Sequence, residues 1–452
     1  MRSVLTRVQS LSQVVGRDAM RTDSASCARF TVDGFTPAAI VEPRSVEQVC
    51  EIVSWARAER AALLPVGSGN LLGIGAIPAR LDIVVSLVGL DSLLRYEPGD
   101  LTFSVQAGMP LERLQPSLAQ HNQFLPVNPP GGGEACLGGL VATNASGPWR
   151  YAYGSWRDFV LGMRFVTGTG KVVKTGGRVV KNVAGYDLGK LLIGSLGTLG
   201  IIVEINFKAF PRPAEQVTWV AGFADLHAAL ALRSAVVHSP LQPMAIELLD
   251  ASAVRLLQLP DSLQTTPWTL AVEAGGVPPV LQRYDAELAQ RARAAGAVSF
   301  ARLTVETDSF WARVADFARA ASAASSAVTV LKASLLLSHM EDFLLRAHAI
   351  ARSLALGTAT VARAGSGIVY LALLPEPGIH DSVEQAVRAI GELAECASVY
   401  GARLVIERAP TDVKRRVKVW GSRGEELALL QGLKREFDPD GILNPGRFLN
   451  GI

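Results

Sequence analysis

The chain has 452 residues, of which 49% are hydrophobic and 19% charged, and its formal net charge at pH 7 is +3. This length predicts two or three domains, and the hydrophobic share excludes an intrinsically disordered chain. The sequence has no basic tract and no run of about 18 apolar residues, which argues against a nucleic-acid partner, a membrane-surface partner and a membrane-spanning helix.

The four cysteines, Cys27, Cys50, Cys136 and Cys396, are widely separated, and no two have the CxxC spacing. We therefore expect neither a disulfide framework nor an iron–sulfur site within this chain. The first 20 residues lack the continuous apolar segment of a secretory signal. They predict an ordinary helix, with a transit peptide as the weaker alternative, and a cytoplasmic location is expected.

The first part of the chain predicts short strands alternating with helices. Ser45 and Gln48 form a capping box that begins a helix ending near Ala61, and Pro110 begins a second helix that ends near His121. Strands are predicted at residues 39–41, 63–66, 82–87, 101–107, 161–167, 171–174 and 200–211. The short glycine-containing connection at 168–170 predicts a hairpin between two of them.

Glycine is concentrated in this part of the chain, where 24 of the 42 glycines lie between residues 66 and 200. Glycine is favoured where backbone takes positive φ or approaches a ligand closely. The loop PVGSGNLLG, from Pro65, follows a predicted strand, and its N–H groups could converge on an anion; an ordinary turn is the alternative. It matches neither the Walker loop nor the dinucleotide fingerprint. Further such loops begin at Asn128, Cys136 and Gly194, and together they indicate a ligand-binding domain.

After Pro213 the pattern changes to strands alternating with longer alanine- and leucine-rich helices. Strands are predicted at 217–223, 245–249, 269–273, 328–336, 367–374 and 403–407, and helices at 226–237, 280–295, 339–355 and 382–400. This alternation predicts an antiparallel sheet covered by helices. The last segment predicts a helix followed by FDPDGILNPGRF, a tail that returns to the first domain.

These segments resemble the FAD-binding domain of the vanillyl-alcohol oxidase and p-cresol methylhydroxylase (PCMH) family, over about residues 30–213 and again at 437–448. Within that family, KNVAGYD from Lys181, RDFVLG from Arg157 and the C-terminal FDPDGILNPGRF resemble the FAD-binding E subunit of glycolate oxidase complexes. The resemblance implies an α+β fold. Its parts would be an N-terminal segment (1–29), a PCMH-type FAD-binding domain (30–213), a cap with an antiparallel sheet for substrate or subunit binding (214–422), and a C-terminal segment (423–452) that returns to the FAD domain.

The resemblance also implies three groups of FAD contacts. The first loop would hold the pyrophosphate with its main chain, the second would line the diphosphate and the ring, and the third would meet the adenine side. These residues are Val66, Gly67, Ser68, Gly69, Asn70 and Leu71; Leu137, Gly138, Gly139, Ala142, Asn144, Ser146 and Gly147; and Gly200 and Ile202. For any single glycine among them, a turn requirement is the alternative interpretation.

Two departures from the family bear on how the flavin is bound. Several relatives bind it covalently through a histidine in the first loop, where this chain has Asn70. Cys136 is offset from the linking cysteine of bicovalent relatives, and we interpret it as a small buried residue. The resemblance therefore implies a non-covalent FAD.

A third departure lies in the cap. Catalytic D-2-hydroxy-acid dehydrogenases of the family carry a motif like HxGDGNxH, whose two histidines bind a divalent metal beside the substrate. The matching stretch here has Arg363 and Tyr370 at the histidine positions and Ser366 at the aspartate position. No two of the six histidines are spaced as HxH, HxxH or HxxxH, so we expect no metal.

A few charged or polar residues are candidates for catalysis. Arg447 corresponds to a basic residue near the flavin in relatives, where positive charge could stabilise the reduced ring; a salt bridge that holds the tail is the alternative. Arg363 could bind a carboxylate, or lie on the surface of the cap. Tyr370 is a further candidate, because it stands at the other histidine position of the cap motif. Lys181 and Asp187 are better explained as a structural ion pair or surface charges.

The leading hypothesis is an FAD-containing redox subunit of a glycolate (D-2-hydroxy acid) oxidase complex. Its expected partners are a catalytic flavoprotein subunit and an iron–sulfur subunit, since this chain lacks cysteine clusters, and a small hydroxy acid. Peripheral association with the inner membrane through a partner is the alternative to a purely cytoplasmic location. A stand-alone FAD oxidase or dehydrogenase with another substrate, and a non-catalytic assembly subunit with structural FAD, are the alternative functions.

Overall fold

The computed structural model describes residues 4–177, 186–303, 307–376, 382–421, 424 and 426–452. None of the helices in these ranges combines the length and apolar character that crossing a lipid bilayer requires. We call the described residues up to 213 the first domain, and those from 214 to 421 the cap.

The first domain contains three sheets. Its strands are β1 (Met20–Arg21), β2 (Ala39–Val41), β3 (Leu63–Val66), β4 (Ile83–Ser86), β5 (Leu93–Glu97), β6 (Thr102–Gln106), β7 (Gln123–Phe124), β8 (Val160–Val166), β9 (Val172–Gly176), β10 (Ile201–Lys208) and β11 (Phe210–Pro211). The first sheet has the order β1-β2-β4-β3, with β2 and β3 both parallel to β4. The second sheet is antiparallel, in the order β5-β6-β10-β8-β9, and β7 pairs with β11.

Eight helices surround these sheets, and nine more follow. They are α1 (Val4–Val15), α2 (Ser24–Ala28), α3 (Val46–Glu59), α4 (Leu111–Ala119), α5 (Leu137–Thr143), α6 (Arg150–Tyr153), α7 (Trp156–Phe159), α8 (Gly189–Leu192), α9 (Leu226–Val237), α10 (Ala251–Leu256), α11 (Pro278–Ala294), α12 (Thr307–Ala315), α13 (Phe317–Ala324), α14 (Met340–Ser353), α15 (Ser382–Val399), α16 (Thr411–Lys414) and α17 (Glu426–Phe437). This count refers to the described ranges only.

The cap contains one antiparallel sheet of eight strands in its described residues. They are β12 (Glu215–Phe223), β13 (Ala245–Asp250), β14 (Trp268–Gly276), β15 (Ser299–Leu303), β16 (Thr329–Ser334), β17 (Leu356–Arg363), β18 (Ile368–Pro375) and β19 (Arg403–Arg408), in the order β15-β12-β14-β13-β17-β18-β16-β19. Both faces are covered by apolar clusters, one with α9, α11, α14 and α15 and the other with α10, α12 and α13. The sheet therefore forms the middle layer of the cap.

The predicted α+β fold with an antiparallel cap sheet is confirmed, although individual elements differ. Pro110 precedes α4 as its N-cap residue instead of being its first helical residue. The Ser45 hydroxyl accepts the Gln48 N–H at 3.2 Å, but the Gln48 side chain accepts the N–H of Arg44, not that of Ser45. Strands β15 and β17 and helices α12 and α13 were not predicted.

The C-terminal segment contacts the first domain at several points. The Leu63 N–H donates to the Ile442 carbonyl and the Asn444 N–H to the Leu63 carbonyl, both at 2.8 Å. Lys434 Nζ donates to the Thr198 carbonyl at 2.8 Å. Phe437, Ile442 and Leu443 belong to the apolar core of the first domain. These contacts place the tail beside the first residue of β3 and beside the loop that precedes β10.

Candidate functional site

A cleft of about 840 Å³ opens at the carboxyl end of β3. Its walls come from the loop after β3, from α5 and from the loop that precedes β10, so the structure brings together the glycine-rich segments that are distant in sequence. The predicted FAD-binding residues that line it are Val66, Gly67, Ser68, Gly69, Asn70, Leu71, Gly138, Gly139, Ala142, Gly200 and Ile202.

Four other predicted FAD-binding residues lie outside the cleft lining. Leu137 is fully buried in the core of the first domain. Asn144 ends α5 in the left-handed conformation. A Cβ atom on Gly147 would lie 1.6 Å from the Asn128 carbonyl oxygen, so glycine is required there by the packing of two backbone segments. The Ser146 carbonyl accepts a hydrogen bond from Arg363 at 2.9 Å. Their contact with FAD stays a prediction.

Main-chain N–H groups in the cleft are available for an anion. Among the described residues, the N–H groups of Gly67, Gly69, Asn70, Leu71 and Gly139 donate to no protein acceptor. All five residues line the cleft. Unpaired N–H groups on adjacent loops can bind an anion, and the pyrophosphate contact of these residues stays a prediction.

Two glycines show where the cleft walls are packed together and where the cleft is open. A Cβ atom on Gly67 would lie 2.5 Å from the Cys136 Cβ, so Gly67 allows the first loop to pack on the second. A Cβ atom on Gly139 would meet nothing within 4 Å, although Gly139 lines the cleft. The space over Gly139 is therefore open to a ligand. The bare main chain, the unpaired N–H groups and the apolar walls together fit FAD.

Asn70 and Cys136 both line this cleft. Asn70 Nδ2 donates to the Gly131 carbonyl at 3.4 Å, so the amide joins the first loop to the second glycine-rich segment. Cys136 is 4% exposed, and burial raises the pKa of its thiol. Cys136 is a small buried residue, as predicted, and none of the described lining residues is a histidine.

Arg447 lies at the edge of the cleft, and its guanidinium binds the chain itself. It donates to the carbonyl oxygens of Leu72, Ile74 and Ala76, and its Nη1 lies 3.3 Å from Asp33 Oδ2. Burial lowers the pKa of Arg447 to about 10, although the adjacent Asp33 carboxylate opposes this shift. Arg447 therefore fastens the tail to the glycine-rich loop, as the structural alternative predicted, while also lining the cleft.

Arg363 and Tyr370 lie in a second cavity, of about 350 Å³, that shares Leu71 and Ile74 with the cleft. Arg363 is 4% exposed and is not a surface residue of the cap. Its Nη1 lies 3.6 Å from Glu247 Oε1, and its guanidinium lies 5.2 Å from the centre of the Tyr370 ring. Its Nε and Nη1 are buried without a hydrogen-bond partner among the described residues.

The second cavity contains further charged residues that sequence reasoning missed. Glu407 lines it and pairs with Lys332 at 3.9 Å, and the Lys332 ammonium lies 5.5 Å from the Tyr370 ring centre. Arg408 also lines it and donates to the Asn70 carbonyl at 3.3 Å. Of these charges, Glu247 could have been noticed in the sequence, because a glutamate stands within the apolar run that forms the buried strand β13. Glu407 and Arg408 are charges at the end of β19, Lys332 is a single charge within β16, and none of the three carries such a signal.

Among the described residues, the remaining charged and histidine candidates form no group that could bind a metal ion. Lys181 and His380 lie outside the described residues. Asp187 is exposed and pairs with Lys190 at 3.4 Å, which agrees with its interpretation as a surface charge. Within the part of the chain that the structure describes, no group of three or more His, Cys, Asp or Glu side chains is placed to bind a metal ion.

Comparisons with known proteins agree with this geometry. Residues 37–176 match a family model described as an FAD binding domain, and residues 212–448 match the C-terminal domain of FAD linked oxidases. The chain is 26% identical to glycolate oxidase subunit GlcD of Bacillus subtilis, over 97% of this chain and 96% of that protein. It is 29% identical to D-2-hydroxyglutarate dehydrogenase of Xanthomonas citri pv. viticola, over 98% of this chain and 96% of that protein.

Two further similarities are informative. Glycolate oxidase subunit GlcE of Escherichia coli is 48% identical over 122 residues, which are 27% of this chain and 35% of that protein. The crystal structure of p-cresol methylhydroxylase has a TM-score of 0.78 at 16% identity, covering 98% of this chain and 96% of the other. The fold is therefore of the PCMH type. The second family model alone matches more than half of the chain, and the chain belongs to the FAD-linked oxidases of the vanillyl-alcohol oxidase family and is an FAD-dependent oxidoreductase.

Proposed function

We propose that this chain is the FAD-binding redox subunit of a complex that oxidises glycolate or another D-2-hydroxy acid. Similarity to relatives named for glycolate and D-2-hydroxyglutarate supports the substrate class. FAD, when bound, supplies the two-electron acceptor for this reaction. The segment 48% identical to a GlcE subunit supports the subunit assignment.

One observation carries the subunit proposal: two charged residues that line the second cavity, Arg363 and Glu407, are each paired with a neighbour of opposite charge. Arg363 contacts Glu247, and Lys332 contacts Glu407. Oxidation of a hydroxy acid needs a group to take the hydroxyl proton and a cation to hold the carboxylate. Arginine stays protonated and is a poor base, and tyrosine has an ordinary pKa near 10. A cavity with paired charges, an arginine and a tyrosine favours a subunit that needs a partner for efficient turnover.

A different observation favours the alternative of a stand-alone oxidase or dehydrogenase. The Nε and Nη1 atoms of Arg363 are buried without a hydrogen-bond partner among the described residues, in a cavity beside the cofactor cleft. A guanidinium with unused N–H groups can bind a carboxylate. On this alternative, Arg363 would hold an acidic substrate, and Tyr370 would contact its hydroxyl group.

The proposal includes partners, a mode of cofactor binding and a location. The four cysteines are free, and no two are adjacent in sequence, so iron–sulfur clusters would be carried by another subunit. The partners would be that subunit and a catalytic flavoprotein subunit. FAD would be bound non-covalently, because the first loop offers Asn70 and no histidine. The complex would be cytoplasmic or held at the inner membrane by a partner.

The test is anaerobic stopped-flow of the isolated FAD-loaded chain with glycolate, D-lactate and D-2-hydroxyglutarate, with and without divalent metal. We expect slow or undetectable bleaching of the flavin band, and faster bleaching in the complex that copurifies with the tagged chain. Fast bleaching of the isolated chain by any of these acids would refute the subunit proposal and support the stand-alone enzyme. Bleaching in neither preparation would support a non-catalytic assembly subunit with structural FAD.

A further inference from the structure

A buried cluster of three charged residues joins three parts of the chain beside the cofactor cleft. Asp33 lies before β2, Lys414 ends α16 of the cap, and Arg447 lies in the C-terminal segment. Lys414 Nζ lies 3.0 Å from Asp33 Oδ2, and Arg447 Nη1 lies 3.3 Å from the same oxygen. The exposed fractions of these side chains are 3% for Lys414 and Arg447 and 7% for Asp33.

The charges of this cluster do not cancel. Two cations share one carboxylate oxygen, and the other contacts are neutral: Thr411 Oγ1 with Asp33 Oδ1 at 3.2 Å, and Lys414 Nζ with the Gly73 carbonyl at 3.0 Å. Arg408 adds a further positive charge near Lys414, which Glu407 and Asp316 partly offset. Burial lowers the pKa of Lys414, and the cations around it act in the same direction, whereas Asp33 opposes them. A net positive charge is therefore buried next to the cleft.

The cluster lies at the end of the cleft that adjoins the cap cavity. Arg447 lines the cleft and donates to the Ile74 carbonyl, and Ile74 lines both the cleft and the cap cavity. Arg447 Nε is buried without a hydrogen-bond partner among the described residues. The excess charge thus acts at the boundary between the cofactor cleft and the cap cavity.

We propose that the Asp33–Lys414–Arg447 cluster sets the reduction potential of the FAD held in this cleft, with Lys414 of the cap raising it and Asp33 lowering it. Reduction adds negative charge to the flavin, and a buried cation favours the reduced state. Low effective dielectric strengthens the interaction, because water does not screen these side chains. Arg447 is the member of the cluster that lines the cleft, and Lys414 and Asp33 act on the flavin by their charges from behind it. The proposal rests on FAD occupying the cleft.

The experiment compares two substitutions that change the net charge in opposite directions. In Lys414→Gln, the amide retains a donor for the Gly73 carbonyl and the positive charge is lost. In Asp33→Asn, the side chain keeps its shape and the negative charge is lost. The matched control is Arg415→Gln, at an adjacent residue whose side chain is 63% exposed. The midpoint potential of each FAD-loaded protein is measured by equilibration with a reference dye, together with FAD content and affinity.

We expect the equilibrium constant for two-electron reduction to fall about tenfold in Lys414→Gln and to rise by a similar factor in Asp33→Asn, with Arg415→Gln unchanged. A tenfold change corresponds to about 30 mV for a two-electron couple. A structural role alone would weaken FAD binding in both variants without shifts of opposite sign. If Asp33→Asn does not fold, the midpoint potential of Lys414→Gln alone tests the proposal. An unchanged or raised potential in that variant, with full FAD content, would overturn the proposal. A wild-type chain that binds no FAD would overturn the proposal and the cofactor assignment together.

Discussion

The Trp149 indole N–H donates to the buried carboxyl group of Glu273, linking the first domain to strand β14 of the cap. Glu273 is 2% exposed. Burial raises the pKa of Glu273 to about 8; the Trp149 hydrogen bond opposes this shift, and the nearby Asp308 charge adds to it. The domain interface therefore contains a carboxyl group that is protonated at neutral pH.

This carboxyl group makes stability depend on pH. In the folded chain Glu273 keeps its proton up to about pH 8, whereas in the unfolded chain it loses it near the ordinary value of 4.5. The folded state binds more protons in that window, so the free energy of unfolding falls as pH rises, by up to about 1.4 kcal/mol per pH unit. Glu247 and Asp250, with pKa values raised by burial to about 7 and about 6, contribute the same sign at lower pH.

The measurement is urea unfolding at pH 7, 7.5 and 8, where Glu273 contributes more to the slope than Glu247 and Asp250 do. Glu273→Gln keeps an acceptor for Trp149 and removes the titration, so we expect a shallower decline of stability with pH than in the wild type. Glu392→Gln, at an exposed position on α15, serves as control and should retain the wild-type slope. Equal slopes in Glu273→Gln and the wild type would contradict the assignment of the protonated carboxyl.

Gly139→Glu tests whether FAD occupies the cleft. A Cβ atom at Gly139 meets no protein atom within 4 Å, so we expect the variant to fold. The glutamate side chain would fill space over the cleft and place a negative charge near the pyrophosphate, so FAD content should fall at least tenfold. Flavin absorbance relative to protein absorbance measures this. Gly391→Glu, also with open space around it, should keep full FAD content. A yellow Gly139→Glu protein would refute the predicted binding mode.

The mode of attachment is tested by denaturation. Because Asn70 has no group that forms a bond to the flavin and the Cys136 thiol is buried with a raised pKa, we expect acid to release all of the FAD. Acid-precipitated protein should be colourless and the supernatant yellow. Flavin absorbance that stays with the denatured chain on gel filtration would show a covalent link.

The elements with a strong local signal were predicted closely. The boundaries of α9 were predicted as 226–237 and observed as Leu226–Val237, because Asp225 caps the helix, accepting the Ala228 N–H, and an apolar helical pattern follows. Strand β17 was missed because its sequence, LGTATVAR, consists mostly of small residues and lacks a strong strand pattern. Packing between β13 and β18 defines that strand, and this is not visible locally.

The cleft formed by the glycine-rich loops was predicted better than the charged groups around it. The glycine-rich loops carry a signal in composition, and they do meet in one cleft. Asp33 and Lys414 are 381 positions apart, and no local pattern indicates that they touch. Leu137 and Gly147 belong to the same motif as Gly139, yet they face the core and a neighbouring backbone segment, because a motif does not specify which of its residues faces the ligand.

The C-terminal segment holds one wall of the cleft through Lys434. Lys434 Nζ donates to the Thr198 carbonyl, to the Leu443 carbonyl at 2.9 Å and to Asp438 Oδ2 at 2.7 Å, and the Asp438 side chain is fully buried. Thr198 lies in the loop that precedes β10, between the cleft-lining residues Gly197 and Gly200. Lys434→Met removes three hydrogen bonds and leaves a buried carboxylate without its cation. Loss of one partner of a buried ion pair costs about 3–5 kcal/mol.

We therefore expect a lower unfolding free energy in Lys434→Met by about that amount, together with weaker FAD binding, because the third wall of the cleft loses its support. Chemical unfolding and FAD titration of the apoprotein measure the two effects. Arg435→Met, at the exposed neighbouring position of α17, should change neither. Excess FAD should restore part of the lost stability, since a ligand that binds only the folded state stabilises it. Normal stability with weakened FAD binding would contradict the structural role of Lys434, and lost stability with wild-type FAD affinity would contradict its link to the cleft.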